Sequence, residues 1–437
     1  MKGLFKLSTL AISIFAASHA NAIELYNDEA TVVNMTGAIA AQVSKYDYDE
    51  STIMGSPAGL DYNSDATHIE DPGSYFGFDV THTIGKWSAL ARLEWDVNFG
   101  TKTDINADFS EKEALSQRIT YAGFRHEDFG SVTIGRQESP YMKTDKGYYA
   151  YWAGGLNMMQ SDELGSRRSP NTIVWQHDFD NLYVGLQYQA KRSVDNIKFG
   201  NGLNYGSFLL GVNDNQAINL DTSTLNSSPI SIDSGFGGAV TYTFATDTYV
   251  ALAYNQADGI NGTLYNYLGE GNGTAGLISA SDAEIKQFAF AVEQHLLDGG
   301  LSLSARFEQF DAKNGSGSNL NQPNIGISNV ATPFDTTSTN FGLGANMYVS
   351  ETVRIYGGYE MAEEKDNITG NKLSEVTMFN LGAAYAPVPW GEIYLESYYD
   401  DVTLNQAAEY NSDGAIPGTS GVTSKGTHFF LGAAVFF

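Results

Sequence analysis

The chain has no cysteine and only 10 prolines in 437 residues. Without cysteine there is no disulfide framework. With so few prolines and no Pro- or Ser-rich linker, one large closed sheet fits better than a row of small domains. Long apolar runs are missing too. Beyond the first 22 residues nothing approaches the roughly 20 consecutive apolar residues of a transmembrane helix. Basic residues are scarce, 24 Lys and Arg against 51 Asp and Glu, which argues against nucleic acid as a partner. Histidines are few. His68, His82, His126, His177, His295 and His428 are scattered and never at metal-ligand spacing. Neither a G-x-S-x-G elbow nor a G-x-x-x-x-G-K-[ST] loop occurs. An esterase or protease would have to assemble its site from distant strands. The residues therefore read as a non-enzyme with no cofactor and no metal.

What is present begins at the N-terminus. "MKGLFKLSTLAISIFAASHANA" carries Lys2 and Lys6, an apolar run from Leu7 to Ala17, and Ala20-Asn21-Ala22. That order is a charged region, a short apolar region and a small-x-small cleavage site. We read residues 1–22 as a secretory signal and residues 23–437 as one exported domain. Removal of the signal lowers the 24 basic residues to 22 against 51 acids, a balance of −29.

Tyr (26), Phe (24) and Gly (46) are plentiful, which suits strands, aromatic girdles and tight bends. In "LARLEWDVNF" Leu93, Trp95, Val97 and Phe99 alternate with Arg92, Glu94, Asp96 and Asn98. Alternation means a strand, because successive side chains point to opposite faces. In "SYFGFDV" Phe76, Phe78 and Val80 share one face and Asp79 the other. "LSLSARFEQF" sets Leu301, Leu303, Ala305 and Phe307 against Arg306 and Glu308. "TVRIYGGYE" sets Val353, Ile355 and Tyr359 against Arg354 and Glu360, and "EIYLESYYD" sets Ile393, Leu395 and Tyr399 against Glu392 and Glu396. Segments of about ten residues match a tilted transmembrane strand.

Short turns alternate with long polar connections. The short ones include His126–Gly130, Asp178–Asn181, Ala245–Asp247, Leu296–Gly300 and Val349–Thr352. The long ones are Asp47–Gly73, Glu138–Arg167, Asp214–Ile232, Ala257–Ser281, Lys313–Thr336 and Leu404–Ser424. One tight end and one loopy end point to an up-and-down membrane barrel. The strand count made this way is about eighteen. The last segment, "THFFLGAAVFF", puts Phe429, Leu431, Ala433, Val435 and Phe437 on one face and ends on Phe437. On this reading Leu93, Trp95, Val97 and Phe99 meet lipid or a neighbouring subunit, while Arg92, Glu94, Asp96 and Asn98 meet water.

"SQRITYAGFRHEDFGSVTIGRQ", Ser116 to Gln137, resembles the fourth strand, turn and fifth strand of the trimeric general diffusion porins of Gram-negative outer membranes. "WDVNF" at Trp95–Phe99, "RRSPNTIVWQ" from Arg167, "LYVGLQYQ" and the terminal Phe437 are similar to further segments of that family. The resemblance follows the mature chain in pattern and residues 74–190 in motif. It implies a water-filled antiparallel barrel, usually of sixteen strands, giving 16–18 as the expected range. It also implies a homotrimer, a third loop folded into the lumen, and Phe437 as the assembly signal read by the barrel-assembly machinery. Lipid and lipopolysaccharide of the outer membrane would surround it. Arg118 and Arg168 match wall arginines of the family, whereas its first- and second-strand basic positions hold Ala38 and Tyr75. The loop core reads "YWAGG" at Tyr151–Gly155, so Trp152 replaces the family's acid, and the nearest loop acids are Asp145, Asp162 and Glu163.

Arg92, Arg118, Arg306 and Arg354 share lumen parity with Asp79, Glu94, Asp96, Glu308, Glu360, Glu392 and Glu396. Rings of such charges set the field a passing ion feels. Arg136 has outward parity and is expected to bridge at the root of the third loop or across a subunit contact. "YYAYWAGGLNMM" at Tyr148–Met159 reads as a loop packed on the inner wall rather than a sugar-stacking strip. The acids of Asp47–Asp71 lack EF-hand spacing and read as a solvated loop. The expected function is passive diffusion of small hydrophilic solutes and ions, with cation preference from the acid excess. The alternatives are an oligosaccharide-selective porin and, from another class, an adhesin or structural barrel with a closed lumen.

Overall fold

A computed structural model describes residues 22–51, 67–97, 114–147, 149, 160–194, 197, 230–266, 276–314, 335–368, 370–404, 410–411, 414–415 and 422–437. Sixteen wall strands follow one another. They are β1 (Thr31–Ser51), β2 (Tyr75–Ile84), β3 (Trp87–Val97), β4 (Leu115–His126), β5 (Gly130–Glu138), β6 (Arg168–Phe179), β7 (Leu182–Gln189) and β8 (Ser234–Thr243). The second half is β9 (Thr248–Asn266), β10 (Gly276–Leu296), β11 (Leu301–Lys313), β12 (Asp335–Tyr348), β13 (Val353–Asp366), β14 (Lys372–Val388), β15 (Gly391–Leu404) and β16 (Val422–Phe436).

Each strand pairs antiparallel with the next, and β1 closes the ring. Its first half pairs with β2 (Ala38 opposite Tyr75) and its second half with β16 (Ala38 opposite Phe436). Closure leaves no exposed sheet edge in the bilayer. Phe437 seals the seam: its N–H donates to the Gly37 carbonyl at 3.0 Å and its carbonyl accepts from the Gly37 N–H. Beyond that point Ile23–Asn27 folds back on β1, Ile23 opposite Met35, and continues the line of β16. The short turns and this seam lie at one end of the barrel. Gly130 shows why such turns need glycine: its φ is +78°, and a Cβ there would sit 2.2 Å from the Gln176 carbonyl oxygen.

The expected alternation is present, and it is inverted relative to a soluble sheet. Apolar side chains face outward and are exposed: Leu93, Phe290, Leu303, Phe307, Ile355, Ile393, Leu395, Phe429 and Leu431. Polar side chains face inward and are buried, among them Glu94, Asn255, Gln287, Arg306, Glu308, Glu360, Glu396 and His428. Only a barrel in lipid makes that arrangement favourable.

Two expectations change. The count is sixteen, within the expected 16–18 and below the roughly eighteen that alternation alone suggests. Thr67–Glu70, Arg192–Val194 and Ile230–Ile232 are short paired segments that extend the wall without adding a strand to the ring. Alternation alone cannot tell such a segment from a wall strand. The stretch Ala257–Ser281 is also not a loop for most of its length. β9 and β10, of 19 and 21 residues, stay paired through Asn266 opposite Gly276, with register shifts between Ala257 and Gly262. Beyond the bilayer neither face needs to be apolar, so the pattern fades while the ladder continues.

Candidate functional site

On β2, β3 and β4 the inward charges form one connected group. Glu94 is 1% exposed, accepts from Arg92 Nη2 at 2.6 Å and is ion-paired with Arg118 through Nε. Arg118 Nη1 reaches Asp96 at 3.1 Å, and Arg92 Nε lies 3.6 Å from Asp79. The Arg118 guanidinium stands 4.4 Å over the Tyr75 ring. Alternation brings Asp79, Arg92, Glu94 and Asp96 to one face, and Arg118 joins them from a register shift in the β3–β4 pair, where its neighbour Ile119 lies opposite Glu94. Asp79, Arg92, Glu94, Asp96 and Arg118, grouped by parity in the sequence, are thus within one chain of contacts.

The third connection, between β5 and β6, starts at a short 3₁₀ turn, Pro140–Thr144, capped by the Ser139 hydroxyl accepting from the Tyr141 N–H. Its returning limb is organised by Asp162. That carboxylate lies 2.9 Å from Arg136 Nη2, 3.8 Å from Arg167 Nε and 3.7 Å from Arg168 Nε. Arg136 also donates to the Arg118 carbonyl at 2.9 Å, so it ties the loop root to β4 as its outward parity suggested. Glu163 accepts from the Ser161 hydroxyl through its side chain, and its carbonyl accepts from Arg192 Nε at 2.7 Å. Gln187 and Asn255 donate to the carbonyls of Gly165 and Leu164. Leu164 packs in an apolar cluster with Ile197, Ile230, Ile232, Ile260, Ile285 and Phe310.

The outgoing limb bonds to inward side chains of distant strands. Tyr141 donates to Glu308 at 2.5 Å, and burial together with Glu308 pushes its phenol well above the usual value. Lys146 Nζ lies 3.0 Å from Glu293 Oε1, and Tyr149 donates to Glu293 Oε2 at 2.5 Å. Tyr249 donates to the Lys143 carbonyl, and Asn380 donates to that of Tyr149. Arg306 is central here. Its side chain is 0% exposed; it pairs with Glu360 and lies 3.6 Å from Asp145. It also donates to Asn340 and to the Lys146 carbonyl.

These contacts correct part of the sequence reading. Arg306 and Glu308 do face inward, but loop residues cover them, so they do not line water. Parity gives the face of a strand and says nothing about what lies on it. Arg354 is closer to the expectation, inward and paired with Glu392 at 3.0 Å. Tyr356 donates to Glu396, and His428 Nε2 lies 2.7 Å from Asp400. Trp152 lies outside the described residues. The sequence reading missed Tyr141, Lys146, Tyr149 and Glu293. Glu293 was findable, since it alternates with Phe288, Phe290 and Val292 in "FAFAVEQ". Among the described residues no group of three or more His, Asp and Glu is placed to hold a metal ion.

The arrangement is a membrane-barrel wall with a polar interior, a mixed group of arginines and acids on β2–β4, three arginines around Asp162 at the loop root, and a carboxylate-rich face on β10–β15. Known proteins share it. The chain matches the major outer membrane protein of Pasteurella multocida at 25% identity over 170 residues, 35% of this chain and 43% of the relative. It thus spans less than half the length of that relative. Among solved structures it is similar to OmpT, an outer membrane protein of Vibrio cholerae. The TM-score is 0.62 at 15% identity, covering 95% of this chain and 99% of that one, and OmpT is also known in a trimer form. It is likewise similar to the anion-selective porin from Comamonas acidovorans, at TM-score 0.57 and 14% identity, covering 93% and 100%. Those likenesses establish the fold. The profile described as Gram-negative porin matches residues 8–403, and the chain therefore belongs to the Gram-negative porin family.

Proposed function

We propose that this protein is a passive channel for small hydrophilic solutes and ions across the outer membrane. The observation that carries the reading is the inverted wall: exposed Leu, Ile and Phe outside, ionised and amide side chains inside. The third connection folds into the lumen and narrows it, supported by its bonds to Glu293, Arg306, Glu308 and Asn380. Arg92, Arg118 and Arg168, with Asp79, Glu94 and Asp96, line the narrow part; Arg354 lines the wider part. The inward rings Tyr356, Tyr394, Tyr398 and Phe430 are 1–4% exposed, which favours a general channel over a sugar-stacking one.

Cation preference is part of the proposal. Glu293, Glu308, Glu360, Glu364, Glu392, Glu396 and Asp400 face inward on β10–β15, against Arg306 and Arg354 on those strands and Lys146 of the loop. Tyr141, Tyr149 and Tyr356 bond three of these acids without cancelling their charge. A negative wall in a low-dielectric mouth concentrates cations.

The channel works as a homotrimer. Among the described residues strands β2–β7 run 8–12 residues and β9–β16 run 13–21, so the described wall is lower on the β2–β7 side. Outward on the low side Phe76 stacks on Trp95 at 5.5 Å, beside Phe78. We place the subunit contact there, lipid and lipopolysaccharide around the tall side, and a signal cleaved after Ala22 with Phe437 read at assembly. The test is swelling of vesicles carrying the purified protein. Neutral sugars should enter at rates falling smoothly with size; steep preference for one sugar would favour a selective porin, and no swelling a closed barrel.

A further inference from the structure

Arg118 belongs to β4, yet its contacts lie sideways. Glu94 and Asp96 are on β3, and the Tyr75 ring is on β2, one strand further. The side chain therefore runs along the wall across two strands instead of pointing to the barrel axis. The carboxylates hold its edge. The ring covers one flat face, an attractive contact between a cation and the negative face of an aromatic. Ala38, directly opposite Tyr75 in the β1–β2 pair, is small and 2% exposed, so nothing long competes for the place beside the ring.

We propose that Tyr75 is a selectivity-determining residue of the channel: it positions Arg118 flat on the wall of the narrow part and so holds that charge off the pore axis. This rests on the channel reading above. The two acids, both on one neighbouring strand, hold the guanidinium by its edge through Nε and Nη1 and leave rotation about that edge as its remaining freedom. The ring is what blocks that motion. Tyr75 does not itself carry the charge that ions feel; it acts through Arg118.

The test is the reversal potential of the purified full-length protein in planar bilayers across a KCl gradient at low salt. Tyr75→Leu and Tyr75→Gln both remove the ring, and either one that assembles is sufficient. The ratio of cation to anion permeability should fall by up to roughly fivefold, because one unit charge about 5 Å from a passing ion in water at about 0.1 M salt shifts cations and anions about twofold in opposite directions. Tyr75→Phe, which keeps the ring, should restore the parental ratio. In an Arg118→Ala background the same ring-removing changes should have no further effect. A parental ratio in Tyr75→Leu or Tyr75→Gln overturns the inference, as does a shift of equal size without Arg118. A parent that opens no channel would instead overturn the channel reading, and the two failures are thus separable.

Discussion

Replacing Arg306 with Met should loosen the barrel more than any exposed charge could. Arg306 is fully enclosed, and so is its partner Glu360. Its contact with Asp145 is 3.6 Å and that acid is 41% exposed, so this pair contributes little. The bonds to Asn340 and the Lys146 carbonyl, at 3.3 and 3.4 Å, are long. The cost is therefore dominated by Glu360, left as a buried carboxylate without its cation. Breaking a buried pair from one side costs about 3–5 kcal/mol. Replacing both members by apolar residues of similar volume is about neutral. Urea unfolding from vesicles, extrapolated to water, measures this. Arg306→Met should lose about 3–5 kcal/mol, and Arg306→Met with Glu360→Met should recover most of it. A loss under about 1 kcal/mol in the single variant, or a double variant as unstable as the single, would refute the reasoning.

Further outcomes follow from the same contacts. Deleting Phe437 removes both bonds to Gly37 and should sharply lower the heat-modifiable oligomer in the outer membrane; normal levels would show that the seam does not need it. Gly37→Val puts a side chain 2.7 Å from the Tyr75 carbonyl and 2.8 Å from the Phe437 ring, so it should impair folding in vitro, read as loss of the folded band. Trp152→Gly should raise conductance and admit larger sugars if the third loop sets the constriction; an unchanged size limit would move the constriction elsewhere. The phenol of Tyr141 is raised, so its neutral form is the one the fold favours. That contribution is complete below about pH 10, the ordinary tyrosine value, and is lost as pH climbs beyond it. Current noise in the parent should be steady from neutral pH to about 10 and grow above, while Tyr141→Phe should show no such alkaline rise; identical traces would disprove the anchor.

The wall was readable in the sequence because a strand's period is two and the bilayer demands one apolar face. Leu93 and Arg92, Phe307 and Arg306, Ile355 and Arg354 all fell on the faces that their alternation assigned. The strand number was not readable, since Thr67–Glu70 and Arg192–Val194 carry strand-like residues yet only prolong existing pairs. The β9–β10 ribbon escaped notice where it leaves the membrane and loses its apolar face. At the site, β2–β4 was legible because its members are neighbours in pairing. The Arg306–Glu360 pair joins strands separated by β12, and Tyr141–Glu308 spans 167 positions, so no local pattern announces either. The role of Tyr75 needed the third dimension for the same reason: the sequence shows that a basic residue is missing there, and only the structure shows which cation the ring now holds.

The most direct test of the account is the single-channel current of the purified full-length protein in a planar bilayer at high salt. A polar, water-filled lumen predicts stable ohmic steps of nanosiemens scale, with conductance proportional to KCl concentration and a cation-selective reversal potential that weakens from about 0.1 to 1 M as the Debye length falls from about 10 to 3 Å. Absence of any step from correctly folded protein would contradict the channel, and an anion-selective potential at low salt would show that Arg92, Arg118 and Arg168 outweigh the carboxylates of β10–β15.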